Sequence, residues 1–266
     1  MGIKFVNVSY ETLKDLNLSF DSTGITSIVS KNDIEIKTIF DLIYALKIPE
    51  NGEIKLGRTS ISKEIKPKSI INLRKNISYL SDCAHLFNIS IMEDLKVISK
   101  KSSPKKLDEM LKLFNLEKDI LKKNYADLSK SEKKKILLIS LLLKDSKYIL
   151  LINPTNDLDY KSSQALIKVL KSLKREDKTI ILSSNDPDFL LQVSDDVILF
   201  ENGKVLSYGN KYEILSSKVL SRFEFNKPEI LNFRSKVEEI KNRKLNYRDN
   251  ILDLIKDIYR DVKWII

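Results

Sequence analysis

Hydrophobic residues follow two patterns along this chain, and together these patterns predict alternating strands and helices. Residues 148–152 form an unbroken apolar run of strand length, and residues 178–184 predict a second buried strand. A run that is apolar on both faces is typical of a central strand in a parallel sheet covered by helices. Apolar positions at helical spacing fill residues 136–143 before the first run and 164–173 between the two. This order predicts an α/β fold.

Shorter elements lie on either side of this central block. Residues 3–8 and 16–20 alternate between apolar and polar, as short strands do. Residues 24–29 predict another strand, which leads through a polar segment at 30–38 into a helix. The apolar positions of that helix are Ile39, Leu42, Ile43 and Leu46. The Asn-Gly pair at 202–203 is a strong signal for a hairpin turn.

From about residue 211 the composition shifts, and two amphipathic helices are predicted. Pro228 lies where a helix can begin. One face of the first helix carries Ile230, Phe233, Val237 and Ile240. The second helix carries Ile251, Leu254, Ile255, Ile258 and Val262. These apolar faces require burial, so contact with another subunit is a reasonable hypothesis for residues 211–266.

The strand, loop and helix at residues 24–46 have the layout of a phosphate-binding loop, whose pattern is G-x-x-x-x-G-K-[ST]. Ser30, Asp33 and Glu35 stand where such loops have glycine, and Ile36 stands at the lysine position. Side chains at these places crowd the backbone N–H groups that would cradle a phosphate. Each added carboxylate repels a phosphate charge at a separation of about 4 Å by about 1–4 kcal/mol. The loop is therefore predicted not to bind a polyphosphate.

Glycine is scarce in the whole chain, which contains 6, none of them between residues 57 and 203. A site that binds phosphate on bare backbone needs glycine at that place, so this scarcity agrees with the loop sequence. An alternative stays open, in which Lys37 and Thr38 act as the lysine and the hydroxyl of the pattern. This alternative requires the loop to gain one residue.

Composition and charge narrow the possible classes of protein. The chain has 266 residues, of which 42% are hydrophobic and 32% charged, and its net charge is +10. A basic surface could face nucleic acid or an anionic membrane. However, the lysines are spread along the chain, and no cluster of basic residues contains interleaved aromatic residues. We therefore expect a lysine-rich composition and no nucleic-acid partner. One histidine and one cysteine, Cys83, predict no metal site and no internal disulfide.

Membrane insertion and secretion are not expected from this sequence. No apolar run approaches the length of about 20 residues that a membrane-spanning helix needs. The N-terminal residues lack the apolar core of a signal peptide. We therefore expect a cytoplasmic protein.

Residues 128–159 resemble the block of ATP-binding cassette (ABC) ATPases that contains the signature helix, the Walker B strand and the D-loop. The matching pairs are Leu128-Ser129, Pro154-Thr155 and Leu158-Asp159. The resemblance implies a P-loop NTPase-like ABC cassette over residues 1–210. In that fold a mostly parallel sheet is flanked by helices, with an antiparallel β subdomain at its edge and an α-helical subdomain at about 88–145. Residues 211–266 would form a C-terminal helical extension.

The same resemblance assigns family roles to individual positions, and the catalytic ones are not matched. Asp82 stands where the family has a glutamine that contacts magnesium, and Ile152 stands at the magnesium-binding aspartate. Asn153 stands at the catalytic glutamate, and Asn185 at the histidine that senses the terminal phosphate. The resemblance therefore implies no catalytic residue in this chain. ATP and magnesium would bind only weakly, or at the site of a partner.

A remnant of the nucleotide pocket is implied by the remaining positions. Tyr10 stands where the family has an aromatic residue that stacks on adenine, although it could equally be a hairpin residue packed on the sheet. Ser129 would face the partner's nucleotide across a head-to-tail dimer. The remaining residues of the implied pocket are Ser30, Asn32, Lys37, Thr38 and the D-loop residue Asp159.

The C-terminal extension is similar to that of ATPase subunits of energy-coupling factor (ECF) transporters, where it helps to join two ATPase subunits. Residues 86–95 resemble the segment that grips a transmembrane subunit, although they could also be ordinary core. The resemblance implies a non-catalytic importer subunit at the cytoplasmic face of the membrane. Its partners would be an intact ABC ATPase subunit and a transmembrane coupling subunit, which would provide its only membrane contact. Two alternatives are a weak ATPase that uses Lys37 and Thr38, and an ABC-fold scaffold unrelated to transport.

Overall fold

The computed structural model describes residues 2–21, 23–82, 84–86, 90–98, 103–242 and 244–262. The strands are β1 (Ile3–Tyr10), β2 (Leu13–Phe20), β3 (Gly24–Val29), β4 (Asn51–Leu56), β5 (Thr59–Ile61), β6 (Ile77–Leu80), β7 (Tyr148–Ile152), β8 (Thr179–Ser183), β9 (Asp196–Glu201) and β10 (Lys204–Asn210). Cys83 and residues 87–89 of the predicted partner-binding segment lie outside the described residues.

Helices connect and cover these strands. They are α1 (Asp33–Ile43), α2 (Pro67–Lys75), α3 (Ile91–Ile98), α4 (Pro104–Leu113), α5 (Lys130–Leu143), α6 (Tyr160–Arg175), α7 (Pro187–Val193), α8 (Lys211–Ser216), α9 (Glu229–Lys241) and α10 (Ile251–Val262). Short 3-10 helices span Lys118–Lys122, Tyr125–Asp127 and Lys218–Phe223. None of the helices in these described ranges is both long enough and apolar enough to cross a bilayer.

The larger sheet has the strand order β10-β9-β3-β8-β7-β6, and its strands are parallel except for β10, which pairs with β9 in the antiparallel direction. The apolar runs predicted as central strands are β7 and β8, and every residue in both is buried. A smaller antiparallel sheet has the order β2-β1-β4-β5. The predicted α/β cassette fold is therefore confirmed.

One edge of the larger sheet collects the segments that follow β3, β8, β7 and β6, because these strands are parallel neighbours. In open α/β sheets, ligands bind at this carboxyl edge. Residues 30–33, 184–186, 153–159 and 81–82 follow those strands. The edge therefore contains most of the predicted site.

Two hydrophobic clusters stabilise the fold. The first joins the larger sheet to α3–α5 and also includes Leu231 of α9 and Leu254 of α10. The second fills the space between the two sheets and includes Ile36 and Phe40 of α1. The helices of residues 211–262 therefore share a core with the cassette.

Several element boundaries differ from the predicted ones. The helix expected from Ile39 begins at Asp33, because Asn32 caps it. Pro228 is the residue that precedes α9 rather than part of its first turn.

Candidate functional site

The segment after β3 is a tight turn and not an open phosphate cradle. Only Ser30, Lys31 and Asn32 separate β3 from α1. The N–H of Asn32 donates to Ser30 Oγ at 3.1 Å, and the N–H of Ile34 donates to Asn32 Oδ1 at 3.0 Å. The N–H of Glu35 donates to the carbonyl oxygen of Asn32 at 3.0 Å. These three donors are therefore already used by the protein itself.

Glu35 places a buried carboxylate at the last glycine position of the loop pattern, and it is only 5% exposed. One of its oxygens accepts a hydrogen bond from Ser30 Oγ at 2.9 Å. The other accepts a hydrogen bond from the N–H of Gly203, in the β9–β10 turn, at 2.7 Å. The loop is thus bonded through Glu35 to the neighbouring hairpin.

The lysine position of the loop pattern is filled by the core residue Ile36, which is 4% exposed. Lys37 lies on the exposed side of α1, whereas Thr38 is buried and accepts a hydrogen bond from Lys47 Nζ at 3.3 Å. Lys37 and Thr38 therefore face different surroundings, because they are successive residues of one helix. The use of Lys37 and Thr38 as the lysine and the hydroxyl of a phosphate loop stays a prediction.

Tyr10 is the last residue of β1, and its ring is covered by a lysine. The ammonium of Lys47 lies 5.0 Å from the ring centroid and 3.5 Å from a carboxylate oxygen of Glu11. Burial and a hydrogen bond to Glu11 raise the pKa of Tyr10. Lys47 thus joins the ring of Tyr10 to the hydroxyl of Thr38. No sequence pattern marked this lysine, because the contact forms only when the end of β1 packs against the segment after α1.

The end of β7 offers no metal ligand at the predicted position. Ile152 is buried in the second hydrophobic cluster and has no side-chain oxygen. Asn153 is buried with φ of 44°, and its N–H donates to the carbonyl of Ser183 at 3.0 Å. Its carbonyl accepts a hydrogen bond from Lys134 Nζ at 2.8 Å. The chemistry of this set does not fit magnesium, which prefers oxygen ligands.

Lys134 is a second residue that the sequence did not reveal. Burial lowers the pKa of its ammonium, while the negative charges of Asp82 and Asp157 act in the opposite direction. Asp82 follows β6 and is exposed, as is Asp157 after β7. Within the described ranges, no cluster of three or more histidine, cysteine, aspartate or glutamate side chains could hold a metal ion.

Ser129 begins α5, but its hydroxyl is already bonded within the helix. The hydroxyl donates to Glu132 Oε2 at 2.7 Å and accepts from the N–H of Glu132 at 3.2 Å. The N–H of Ser129 donates to the same carboxylate at 2.9 Å. These bonds to Ser129 lower the pKa of Glu132. A carboxylate therefore occupies the helix start that was expected to face a partner's phosphates.

Asp159 caps the start of α6. Its carboxylate accepts from the N–H of Ser162 at 2.9 Å and pairs with Lys135 Nζ at 2.7 Å. The bond to Lys135 is the largest cause that lowers the pKa of Asp159 to about 2. The signature helix and the D-loop are thus linked by a charged pair.

Asn185 is exposed at the carboxyl edge, beside the C-terminal extension. It lines a cavity of about 360 Å³ together with Ser30 and Asp33 of the loop and residues 223–226. Close by, Asp188 Oδ1 accepts a hydrogen bond from the N–H of Glu229, the first residue of α9, at 2.9 Å. Of the predicted site residues, Ser30 and Asn185 therefore lie together, whereas Tyr10 and Thr38 meet at Lys47.

Comparison with known proteins finds relatives along most of the chain. The energy-coupling factor transporter ATP-binding protein EcfA3 of Oenococcus oeni is 27% identical over 90% of this chain and 90% of its own length. EcfA2 of Mycoplasma capricolum subsp. capricolum is 28% identical over 86% of this chain and 83% of its own length.

Solved structures share the fold at lower identity. CbiO1 of Clostridium perfringens, part of the ABC transporter complex cbiONQ, superposes with a TM-score of 0.68 at 22% identity, covering 91% of this chain and 98% of that one. The dimeric ATP-binding cassette MJ0796, bound to ADP and Pi, gives a TM-score of 0.70 at 21% identity over 79% of this chain and 98% of that one.

A family model matches the sequence of this chain. The model described as "ABC transporter" matches residues 13–156, just over half of the chain. This range begins at β2, includes the loop after β3 and ends in the segment that follows β7. The chain therefore belongs to the ABC transporter family.

Proposed function

We propose that this chain is a non-catalytic ATPase-type subunit of an energy-coupling factor transporter. In this role it pairs with an intact ATPase subunit and binds a transmembrane coupling subunit at the cytoplasmic face of the membrane. The similarity to two ECF ATP-binding proteins over 86–90% of the chain supports the type of transporter. The pairing, the location and the loss of catalysis are our inference from the site.

The observation that carries the loss of catalysis is the internal hydrogen bonding of the loop after β3. A phosphate would have to displace the bonds of Asn32 and Ile34 and approach the carboxylate of Glu35. Positions 36 and 152 both hold isoleucine, so the chain has neither the lysine nor the acidic residue that would offset this loss of phosphate binding. Phosphoryl transfer depends on positioning and charge stabilisation by such groups, so this chain lacks the means to hydrolyse ATP.

A groove in the helical part of the molecule supports binding of a transmembrane subunit. The groove has a volume of about 400 Å³ and lies between α3, α4 and the 3-10 helix at 118–122. Its apolar lining includes Met92, Leu95, Leu107, Leu121 and Leu143. An amphipathic helix binds such a groove through its apolar face, so we assign the groove to a helix of the coupling subunit.

An apolar face on the extension supports pairing with a second ATPase subunit. Phe233 and Ile240 are exposed on α9, two helical turns apart, and Ile240 is 83% exposed. Leu252 and Tyr259 are exposed on α10 with the same spacing. Contiguous exposed apolar surface marks contact sites, and we propose that these four side chains form one such surface. We therefore assign the surface formed by these residues of α9 and α10 to the second ATPase subunit.

We expect calorimetric titration of the purified chain with ATP and magnesium to give no binding stronger than about 1 mM, which is roughly a thousandfold weaker than a micromolar site. An ABC ATPase with an intact phosphate loop serves as the positive control. Lys37→Ala should behave as the unchanged chain does. Micromolar binding that disappears in Lys37→Ala would refute the proposal and support the weak ATPase.

The pairing is tested on the transporter complex purified through a tag on this chain. Phe233→Ser with Ile240→Ser should release the second ATPase subunit, because burying each large apolar side chain stabilises a contact by about 1.5–3 kcal/mol. Loss of two such side chains weakens binding by about a hundredfold or more. Lys236→Ser, on the same helix, should leave the complex intact. Light scattering measures the composition, and an unchanged complex in the double variant would argue against this face.

A further inference from the structure

The apolar surface proposed for pairing is divided between two helices, and an irregular segment lies between them. We call it the pairing surface, and it consists of Phe233 and Ile240 on α9 with Leu252 and Tyr259 on α10. Residues 244–250 lead into α10 and form neither helix nor strand. Connecting segments of this kind are ordinarily more mobile than the elements they join. The four side chains therefore form one surface only if this segment is held in place.

The first contacts hold the segment to α9. The backbone N–H of Leu245 donates a hydrogen bond to Glu238 Oε1 at 2.6 Å. The carbonyl oxygen of Leu245 accepts two hydrogen bonds from Arg234, at 3.0 Å from Nε and 2.8 Å from Nη2. Arg234 and Glu238 also pair with each other at 2.7 Å along the helix. Both backbone groups of Leu245 are thus bound by one charged pair of α9.

Tyr247 connects α9 to α8, the helix that follows β10 directly. The guanidinium carbon of Arg234 lies 3.8 Å from the centroid of the Tyr247 ring. The ring of Tyr212 stacks on that of Tyr247, with centroids 4.7 Å apart and an angle of 23° between the planes. A guanidinium over an aromatic face and a stacked pair of rings are both attractive contacts. The ring of Tyr247 therefore links the two helices.

Asp249 binds the same segment to α8 through two donors. Its carboxylate accepts hydrogen bonds from Tyr212 Oη at 2.5 Å and from Lys211 Nζ at 2.8 Å. Lys211 is buried, and its backbone N–H donates to the carbonyl of Asp195, just before β9, at 3.0 Å. The segment is thus connected to the larger sheet by way of α8.

Arg248 holds the segment to α10. Its Nε donates to the buried carboxylate of Asp257 at 2.6 Å. Leu254 is buried in the first hydrophobic cluster, whereas Leu252 and Tyr259 are exposed. At about 100° of rotation per residue, the exposed pair lies on the other side of the helix from Leu254 and Asp257. The contacts that fix α10 and the side chains that are left for a partner are therefore separate.

We propose that Tyr247 and Asp249 are positioning residues for pairing with the second ATPase subunit. They hold α9 and α10 at a fixed orientation to each other and to the larger sheet, so that the pairing surface exists before the partner binds. Binding to a preformed surface is stronger, because less conformational freedom is lost in the complex. The inference rests on the proposed pairing and deepens it, because it assigns part of the affinity to side chains that act through the two helices.

The test compares the unchanged full chain with a variant that combines Tyr247→Ala and Asp249→Ala. The partner is the second ATPase subunit recovered from the transporter complex that co-purifies with this chain, and calorimetric titration gives the dissociation constant. We expect this constant to rise about tenfold or more, because the segment and its side chains must then be ordered on binding. In the variant alone, hydrogen exchange of the α10 amides should become about tenfold faster or more.

Asp145→Ala is the matched control, because Asp145 also forms an ion pair but lies between α5 and β7. Its partner is Lys178, at 2.7 Å. This variant should melt at a lower temperature than the unchanged chain and keep its dissociation constant, because a side chain that only stabilises the fold does not change the affinity of folded molecules. Tyr247→Phe keeps the ring that contacts Arg234 and Tyr212, so it should exchange and pair as the unchanged chain does.

Two results would overturn the inference and leave the proposed pairing intact. One is a double variant with faster exchange in α10 but an unchanged dissociation constant. The other is a double variant with unchanged exchange, since α10 would then be held without these two side chains. An unchanged chain that binds no second ATPase subunit would instead refute the proposed pairing, and this inference with it. If the double variant does not fold, Tyr247→Ala alone replaces it, and the same results decide.

Discussion

Replacing Glu35 with alanine is expected to lower the free energy of unfolding by about 2–4 kcal/mol, because a buried donor left without its acceptor costs about 1–3 kcal/mol. Two donors are affected, the hydroxyl of Ser30 and the N–H of Gly203. The change also separates the loop after β3 from the β9–β10 turn. Urea denaturation measures the effect as a fall in the midpoint at an unchanged slope.

The control for this variant is Asp33→Ala, in the same turn of α1. Asp33 is exposed, and its charge near the helix start contributes about 0.3–1 kcal/mol. Glu35→Gln should fall between the two, because its amide keeps one acceptor oxygen. An alanine variant as stable as the unchanged chain would mean that Glu35 does not form these bonds.

Restoring the family lysine at position 36 is expected to damage the fold and not to restore ATP binding. Ile36 is packed in the cluster between the two sheets. Ile36→Lys would bring an ammonium without a partner into this apolar cluster, and such burial costs more than about 3 kcal/mol. Thermal unfolding and ATP titration of the same sample measure both effects.

Ile34→Lys is the matched control, since Ile34 is 68% exposed on the same helix. A substitution at such a surface position changes stability by about 0.5 kcal/mol or less. If Ile36→Lys were as stable as Ile34→Lys and bound ATP, Ile36 could not be packed in the apolar cluster between the sheets. The pair of variants therefore tests the burial of residue 36 directly.

The central position of β7 and β8 in the larger sheet could be predicted from the sequence, because both strands are apolar on both faces, as central strands are. The start of α1 was missed, because the loop layout placed residues 33–38 outside the helix. Asn32 was the available signal, since asparagine is a strong residue for capping a helix. The sequence Ser-x-x-Glu at residues 129–132 was a second missed signal, as it is the pattern of a capping box.

The lysines of the site could not have been predicted from the sequence alone. Lys47, in the segment after α1, contacts Tyr10 at the end of β1, and Lys134 of α5 contacts Asn153 after β7. Such contacts depend on how whole elements pack, and a lysine-rich chain offers many equivalent candidates. By contrast, Asp82, Ile152, Asn153 and Asn185 can be compared with the family pattern from the sequence alone, and their interpretation as catalytic replacements stays a prediction.

The closed hydrogen bonding of the loop after β3 also bears on how this chain responds to the energy state of a cell. A nucleotide that binds only the native state adds RT ln(1 + [L]/Kd) to the free energy of unfolding. If the loop binds no nucleotide, as proposed above, that contribution is absent, and the stability of this chain is independent of the ratio of ATP to ADP. A subunit that does bind nucleotide would instead change in stability as that ratio changes.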